Sequence, residues 1–289
     1  MQSVLEILGK CEQYFAKKGV PSPKLDAQLL LAKAVGCKRL ELFLRFDMPL
    51  GEGVLATFRD FARRRAKREP LQHILGDADF FGINLKCDRR ALVPRHETEE
   101  LCQNVADLLF PDASRCIDIL DLGTGSGAIA LGLAARYANA RVTGVDISAD
   151  ALALARENLE ICAAGGSLAN GLSGRVNFLE SNWFSNVEGS FDLIAANPPY
   201  LTEDEFESAQ PEVKNFDPHG ALVSGQDGLC DLRKILSQAP AFLKNGGKII
   251  CECGLGQPKI LAEEFSGSYS RAETLPDFSR RERFVIFEK

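Results

Sequence analysis

Residues 197–200, Asn-Pro-Pro-Tyr, form a polar turn directly after the apolar run Phe191–Ala196. Proline fixes φ, lacks a backbone N–H and restricts the preceding residue to extended conformations, so the turn should be rigid and present mainly acceptors. The side-chain oxygen of Asn197 and the carbonyl of Pro198 could hold a planar NH2 group, with Tyr200 stacked on its face. Such a site suits an amide or exocyclic amine aimed at a neighbouring electrophile. A capped, proline-terminated strand is the alternative, and residues upstream decide between the two.

A strand, a glycine-rich turn and a helix are indicated between residues 117 and 130, around Asp121-Leu-Gly-Thr-Gly-Ser-Gly127. Glycines at 123, 125 and 127 let the backbone bend tightly and approach a ligand at the N-terminus of the helix. Residues 123–128 also match Gly-x-Gly-x-x-Ala, the dinucleotide fingerprint with alanine last. That match alone is weak, so a nicotinamide cofactor must be considered.

Two acidic residues favour S-adenosyl-L-methionine over NAD. Asp121 lies two residues before the first glycine, where a carboxylate would face an ammonium group and repel a pyrophosphate. Asp146 ends the next strand, where it can accept hydrogen bonds from both hydroxyls of a ribose. Asp146 alone does not distinguish the two cofactors, but the pair favours S-adenosyl-L-methionine.

Asn182 and Trp183 follow the third strand, so they should reach the carboxyl edge of the sheet near the adenine. An amide can bond the edge of the adenine, and an indole can stack on it or wall the pocket. A core tryptophan and an ordinary loop asparagine are the alternatives.

Alternating strand and helix patterns predict a parallel sheet covered on both faces for the larger part of the chain. Strands are predicted at 116–121, 141–146, 175–179, 191–196, 247–253, 271–275 and 284–287. Helices are predicted at 97–110, 127–137, 149–159, 228–243 and 257–265, with a loop at 163–174. Thr98 could cap the first of these helices.

Four helical patterns, at 3–19, 22–36, 40–46 and 54–69, predict a small bundle at the start of the chain. We expect a helical domain at 1–75, a hairpin linker at 76–92 and the sheet domain at 93–289. The run Arg63-Arg64-Arg65-Ala66-Lys67-Arg68 ends the fourth helix, where cations complement the helix dipole. The alternative is a contact for an RNA-rich or acidic partner.

Composition excludes several classes of protein. The 289 residues are 45% hydrophobic and 26% charged, as in ordinary globular proteins, and no apolar run approaches the roughly 18 residues of a membrane span. We therefore expect a cytoplasmic protein without a membrane role. The nine cysteines contain no pair with zinc spacing, so no metal site is expected. Residues 86–289 carry 20 basic against 30 acidic residues, which disfavours free-standing nucleic-acid binding.

These motifs together closely resemble the HemK/PrmC family of glutamine methyltransferases that modify peptide chain release factors. The resemblance covers nearly the whole chain. Beyond the glycine turn, Asp146, Asn182-Trp183-Phe184 and the Asn-Pro-Pro-Tyr turn, it rests on these blocks: Pro70–Gly76, Phe80–Gly82, Pro94–Glu99, Ala221–Leu229 and Glu252-x-Gly254-x-x-Gln257. It departs from the family pattern at His96, Asn182, Phe81 and Asp217-Pro218.

The resemblance implies an α/β, Rossmann-like class I methyltransferase domain with seven strands, the last antiparallel, preceded by a small α-helical bundle. It implies transfer of a methyl group from S-adenosyl-L-methionine, leaving S-adenosyl-L-homocysteine, to the side-chain nitrogen of glutamine in a Gly-Gly-Gln motif, which modulates translation termination. The cofactor would be bound by these residues: Asp121, Gly123, Thr124, Gly125, Ser126, Gly127, Asp146, Asn182, Trp183 and Asn197. The glutamine would be bound by these: Phe80, Asn197, Pro198, Pro199 and Tyr200. We expect a monomer that takes release factors as its protein substrate.

An amide nitrogen is a poor nucleophile, so the enzyme must supply in-line placement and acceptors that favour positive charge on nitrogen. Asn197 and the Pro198 carbonyl are the predicted acceptors. Tyr200 completes the predicted catalytic set. Phe80 and Tyr200 are expected to line the pocket around the substrate amide. No catalytic histidine or cysteine is required. Arg95, Glu97 and Glu99 are expected near the site.

Other functions remain open at this stage. The same acceptor turn serves enzymes that methylate adenine amines in nucleic acids, although such enzymes need a basic groove for the strand. A sister glutamine methyltransferase acting on a ribosomal protein is a closer competitor, and discrimination would then reside in the helical domain. The weaker hypotheses are a cofactor-binding or scaffold protein that has lost catalysis, and a nicotinamide oxidoreductase.

Overall fold

The computed structural model describes residues 3–165 and 171–289. The chain forms two compact units. The first contains Met1–Gly76 and Gln210–Phe216, and the second contains Asp77–Ala209 and Asp217–Lys289. A short piece of the chain after the Asn-Pro-Pro-Tyr turn therefore belongs to the first unit, which the sequence did not predict.

The first unit is the predicted helical bundle. Its first five helices are α1 Val4–Lys17, α2 Pro23–Val35, α3 Arg39–Phe43, α4 Glu52–Ala66 and α5 Leu71–Leu75. A capping box of Ser3 and Glu6 begins α1, and the left-handed Gly36 ends α2. Amphipathic faces then bury a core that includes Phe15 and Leu30. The short helix α5 was not predicted, because five residues carry little helical periodicity.

The remaining helices of the chain are α6 His96–Asn104, α7 Ala128–Arg136, α8 Ala149–Ala164, α9 Glu203–Ser208, α10 Pro211–Phe216, α11 Cys230–Phe242 and α12 Gln257–Glu264. Of these, α10 belongs to the first unit. A π-helical turn at Val105–Leu109 continues α6, where the sequence predicted one α-helix to residue 110. Part of the predicted loop at 163–174 lies at 166–170, outside the described residues.

The second unit begins with the predicted hairpin, whose strands β1 Asp77–Phe80 and β2 Ile83–Lys86 pair antiparallel. The sequence predicted this hairpin as part of a linker between domains. Phe80, Ile83 and Leu85 are instead buried in the core of the second unit. The hairpin therefore groups with the sheet domain, because its apolar side chains are covered there.

A seven-stranded sheet forms the centre of the second unit. Its strands are β3 Asp118–Leu122, β4 Arg141–Asp146, β5 Val176–Glu180, β6 Phe191–Ala196, β7 Leu243–Glu252, β8 Arg271–Pro276 and β9 Glu282–Glu288. Their order is β5-β4-β3-β6-β7-β9-β8, in which β9 pairs antiparallel with both neighbours and β3 to β7 are parallel. The predicted fold class and antiparallel last strand are thus confirmed.

The two central strands are covered on both faces. In β3, residues 119–122 are all buried, and β6 buries both Leu193 and Ile194, which point to opposite faces. The carboxyl ends of β3, β4 and β6 consequently meet at one edge, where ligands bind in such sheets. In the described part of the chain, no helix combines the length and the apolar character needed to cross a bilayer.

Candidate active site

A cavity of about 470 Å³ opens at this edge of the sheet, within the second unit. Its lining comes from the stretches 90–98, 123–129, 146–151, 181–183, 197–199, 218–221 and 231–234. The glycine turn, the end of β4 and the Asn-Pro-Pro-Tyr turn, which lie far apart in the sequence, therefore share one cavity.

Asp146 is held at the cavity by two backbone donors. Its Oδ2 accepts from the Gly125 N–H at 2.9 Å, and its Oδ1 accepts from the Ser148 N–H at 2.9 Å. Burial raises the pKa of the Asp146 carboxyl, and these backbone hydrogen bonds oppose that effect. Each oxygen has further lone pairs, so the carboxylate fits a ligand with neighbouring hydroxyl groups.

Asp121 lies beneath the glycine turn and is completely buried. Its Oδ2 accepts from the Thr124 hydroxyl at 2.6 Å and from the Ala130 N–H at 3.1 Å. No described residue is hydrogen bonded to its buried Oδ1. Burial raises the pKa of Asp121 to about 7. The carboxyl group therefore supports the turn through Thr124, while its predicted contact with a ligand ammonium stays a prediction.

Asn182 and Trp183 both line the cavity, as expected. The Trp183 ring lies over Gly123, where a Cβ would be 3.4 Å from the indole, and its Nε1 donates to Asp231 Oδ1 at 3.0 Å. The Asn182 Oδ1 accepts from Lys234 Nζ at 3.0 Å. Asp231 and Lys234 were missed by the sequence analysis. Their three-residue spacing on α11 is a weak signal that they share a helix face.

The Asn-Pro-Pro-Tyr turn is joined to a buried hydrogen-bond network. Asn197 Nδ2 donates to Thr98 Oγ1 at 2.8 Å, and the Thr98 hydroxyl donates to Glu252 Oε2 at 2.8 Å. The Tyr200 hydroxyl donates to Glu252 Oε1 at 3.2 Å. Burial raises the pKa of Glu252 to about 7, and the Thr98 hydrogen bond opposes that effect. The amide nitrogen of Asn197 therefore points to Thr98 in the protein interior.

Thr98 was predicted to cap α6, and that prediction is wrong. The residue at the N-cap position is Arg95, which makes no side-chain capping bond. Thr98 lies one turn further and is 6% exposed, with its hydroxyl between Asn197 and Glu252. A tertiary contact with β7 takes the place of the local capping bond.

Comparison with known proteins shows the family to which the chain belongs. The PrmC N-terminal domain matches residues 6–76, and the methyltransferase small domain matches residues 103–212. A release factor glutamine methyltransferase from Rhodopirellula baltica is 37% identical over 297 residues, covering 99% of this chain and 96% of the relative. One from Deinococcus radiodurans is 40% identical over 281 residues, covering 97% and 96%. The chain belongs to the release factor glutamine methyltransferase family.

Solved structures agree with the fold of this family. A 16S rRNA N2 G1207 methyltransferase from T. thermophilus, determined in complex with AdoMet and guanosine, superposes with a TM-score of 0.51. The sequences are 22% identical, and the match covers 74% of this chain and 49% of that chain. At this identity the likeness shows the methyltransferase fold alone.

Gln257 and the Leu222 carbonyl support the far end of the Asn-Pro-Pro-Tyr turn. The Gln257 amide donates to the Tyr200 carbonyl at 2.9 Å, while its own oxygen accepts from the Gly254 N–H at 2.7 Å. The N–H groups of Tyr200 and Leu201 both donate to the Leu222 carbonyl. The turn is therefore fixed at its first and last residues.

Three other predicted substrate residues differ in their placement. Pro199 lines the cavity, whereas Pro198 is buried beside it. The Tyr200 ring is partly buried against the core, with the Arg283 guanidinium 5.9 Å from its centroid. The Tyr200 hydroxyl is bonded to Glu252, so its predicted stacking on an amide stays a prediction.

Phe80 does not reach the cavity, which corrects the expectation that it walls the amide. It is 2% exposed and packs against α7, where a Cβ on Gly132 would be 3.4 Å from its ring. The hairpin buries this ring because it closes the core over α7. Arg95, by contrast, lines the cavity and pairs with the buried carboxylate of Asp217.

The remaining charged residues expected near the site are peripheral. Glu99 accepts from the Phe81 N–H at 2.9 Å, and Glu97 pairs with Arg281 at 3.4 Å. The side chain of His96, one of the departures from the family pattern, is 92% exposed. Departures at His96 and Phe81 therefore leave the described hydrogen bonds of the Asn197 turn intact.

Proposed function

We propose that this protein methylates the side-chain amide nitrogen of a glutamine in peptide chain release factors, within a Gly-Gly-Gln motif, and so modulates translation termination. The observation that carries the proposal is the orientation of Asn197. Because its amide nitrogen is bonded to Thr98, its oxygen is left as an acceptor at the cavity. Relatives that carry the name release factor glutamine methyltransferase over nearly the whole chain support the choice of substrate.

The cavity fits S-adenosylmethionine as the methyl donor. Its volume lies within the range typical of small-molecule sites, and its mainly apolar walls carry a few fixed polar groups. The cofactor would be held by the glycine turn at 123–127, the Asp146 carboxylate, Asn182 and the Trp183 ring, with Asp121 beneath the turn. The exposed Ile147 adds an apolar surface beside Asp146. Bound there, S-adenosylmethionine supplies an electrophilic methyl group and is converted to S-adenosylhomocysteine.

The protein's contribution is placement and acceptance of hydrogen bonds. The oxygen of Asn197 and the carbonyl of Pro198 accept from the glutamine NH2, which holds its nitrogen in one plane and favours positive charge on it. Methyl transfer would form a bond between this nitrogen and the methyl carbon as the carbon–sulfur bond breaks, and the nitrogen would then lose one proton to water. Deprotonation follows bond formation, so no strong base is required at the turn.

A nucleic-acid substrate is disfavoured by the environment of the basic run at the end of α4. The Arg65 side chain is 6% exposed, and its guanidinium pairs with Asp26 and Glu212 within the first unit. Arg68 pairs with Glu212 as well, and Arg64 pairs with Glu69. These cations are neutralised internally, which weakens their attraction for phosphates.

Mass spectrometry of a release factor co-expressed with this protein tests the proposal. One added methyl group on the Gly-Gly-Gln glutamine is expected with the wild type. Asn197→Ala should lose methyl transfer while retaining most of its cofactor binding, and the exposed Asn245→Ala should behave as wild type. Methylation of a ribosomal protein or a nucleic acid in place of the release factor would overturn the assignment.

A further inference from the structure

We propose that Thr98 and Glu252 are positioning residues for methyl transfer, which orient the Asn197 amide so that its oxygen faces the cavity. The inference rests on the proposed function and assigns it two residues outside the Asn-Pro-Pro-Tyr turn. Neither residue needs to touch the glutamine. They act through Asn197, the residue that does.

The direction of the hydrogen bonds carries the argument. A threonine hydroxyl has a single proton, and Thr98 donates it to Glu252 Oε2 at 2.8 Å. Thr98 can therefore only accept from Asn197, at 2.8 Å, so the NH2 group of Asn197 must face it. The position of the amide oxygen follows from this network and not from the shape of the side chain, because the two ends of an amide are nearly isosteric.

Burial makes this orientation obligatory. Glu252 is 1% exposed and Thr98 is 6% exposed, so bulk water cannot readily replace either partner. Tyr200 donates to Glu252 Oε1, which leaves Glu252 Oε2 for Thr98. A reversed Asn197 amide would place its oxygen against the Thr98 oxygen and leave both oxygens without a donor, which is unfavourable for buried polar groups.

Protonation of Glu252 would remove the basis of this orientation. A protonated carboxyl group can donate to Thr98, whose own proton would then be free to point at Asn197. The Asn197 amide would turn its oxygen to Thr98 and its NH2 to the cavity, where two NH2 groups would oppose each other. Methyl transfer should therefore require ionised Glu252.

The charged and titratable groups that interact electrostatically with Glu252 come from four elements. They are Glu97 and Cys102 of α6, Tyr200 after β6, Cys253 after β7 and Arg283 of β9. Burial raises the pKa of Glu252 to about 7, Arg283 opposes the rise and Glu97 adds to it. Since the carboxylate is the active form, kcat should increase as pH rises through this pKa.

Substitutions at Thr98 separate positioning from a structural role. Thr98→Val keeps the shape but removes the hydroxyl, and we expect kcat to fall about 10- to 100-fold with the affinity for S-adenosylmethionine unchanged. Thr98→Ser retains the hydroxyl and should restore most of kcat. Thr274→Val, on β8, is the matched control and should retain wild-type kcat. The pH step in kcat should be weaker in Thr98→Val, because Glu252 no longer acts on Asn197.

Glu252→Gln provides the second variant, in case Thr98→Val does not fold. It removes the titrating group at constant size, so the step in kcat near pH 7 should disappear. Wild-type kcat and an unchanged pH profile in either variant would overturn the positioning role. A wild-type protein that binds S-adenosylmethionine but leaves the release factor unmethylated would instead overturn the proposed function, so the two failures are distinguishable.

Discussion

Gly228 lies directly against the carbonyl group of Tyr200. A Cβ at position 228 would be 2.3 Å from the Tyr200 oxygen and 2.7 Å from Gln257 Nε2. These are the two atoms whose hydrogen bond fixes the end of the Asn-Pro-Pro-Tyr turn. The turn can therefore close only because residue 228 has no side chain, and the φ of +71° at Gly228 favours glycine independently.

Gly228→Ala should consequently lower both activity and stability. The added methyl group must displace backbone or break the Gln257 hydrogen bond, which we expect to cost about 1–3 kcal/mol of unfolding free energy. Movement of Tyr200 should reduce kcat at least about 10-fold. Urea denaturation and single-turnover methylation measure the two effects. Gly267→Ala, where a Cβ would meet no atom within 4 Å, is the control and should match wild type.

Asp146→Asn should weaken binding of S-adenosylmethionine by roughly 10- to 100-fold. Each carboxylate oxygen of Asp146 accepts a backbone N–H, so an amide at this position must direct its NH2 at either Gly125 or Ser148. The glycine turn would shift, and one acceptor for the cofactor would be lost. Isothermal titration with S-adenosylmethionine measures the change. The exposed Asp150→Asn serves as the control, and equal affinities in the two variants would contradict the role of Asp146.

Local sequence patterns predicted the sheet, the glycine turn and the Asn197 turn. Asp146 was predicted at the site because the end of a strand next to a glycine turn has a fixed place in such sheets. The cavity joins these stretches as expected. Each of these features depends on the order of neighbouring residues, which the sequence displays directly.

The residues that hold the Asn197 turn in place could not be predicted in the same way. Thr98 and Glu252 are separated by 154 residues, and their meeting depends on how α6 packs against β7. The local pattern at Thr98 favoured a helix cap, and a tertiary hydrogen bond replaced it. Phe80 was wrongly predicted at the substrate pocket for a related reason. An aromatic ring packs as well in the core of the second unit as it would in a substrate pocket.

Asp121→Asn should stabilise the protein at high pH while weakening cofactor binding. The pKa of Asp121 in the folded protein is about 7, above its ordinary value of 3.8, because burial disfavours the charged form. The stability associated with this group is therefore fully present below about pH 4 and is lost as pH rises through about 7. An asparagine does not titrate. The unfolding free energy of the variant, relative to that of wild type, should therefore increase by on the order of 1–3 kcal/mol between pH 5 and pH 8.

Urea denaturation at the two pH values measures this gain, with the exposed Asp204→Asn as the control. Loss of the buried Oδ1 should also reduce the affinity for S-adenosylmethionine, as expected if that oxygen faces the ammonium group. If the difference in unfolding free energy between Asp121→Asn and wild type does not change with pH, the titration of Asp121 is contradicted. Unchanged cofactor affinity in the variant would contradict the ammonium contact.

Arg65→Ala should unfold the first unit far more readily than Arg63→Ala. Arg65 is 5% exposed, and its guanidinium pairs with Asp26 at 2.7 Å and with Glu212 of α10 at 2.8 Å. Its removal leaves the buried Asp26 carboxylate without a cation and Glu212 with Arg68 alone, for which we expect a cost of about 3–5 kcal/mol. Arg63 forms an exposed pair with Asp60, and its loss should cost less than about 1 kcal/mol.

Chemical denaturation followed by far-UV circular dichroism compares these two variants under one condition. A titration with RNA of the same proteins separates the two interpretations of the basic run. If the run is an RNA contact, Arg65→Ala and Arg63→Ala should weaken RNA binding while stability changes little. If Arg65 joins α4 to α2 and α10, as its ion pairs indicate, the variants should differ in stability. Because Arg65 is buried and Arg63 is exposed, equal destabilisation by both substitutions would contradict this structural role.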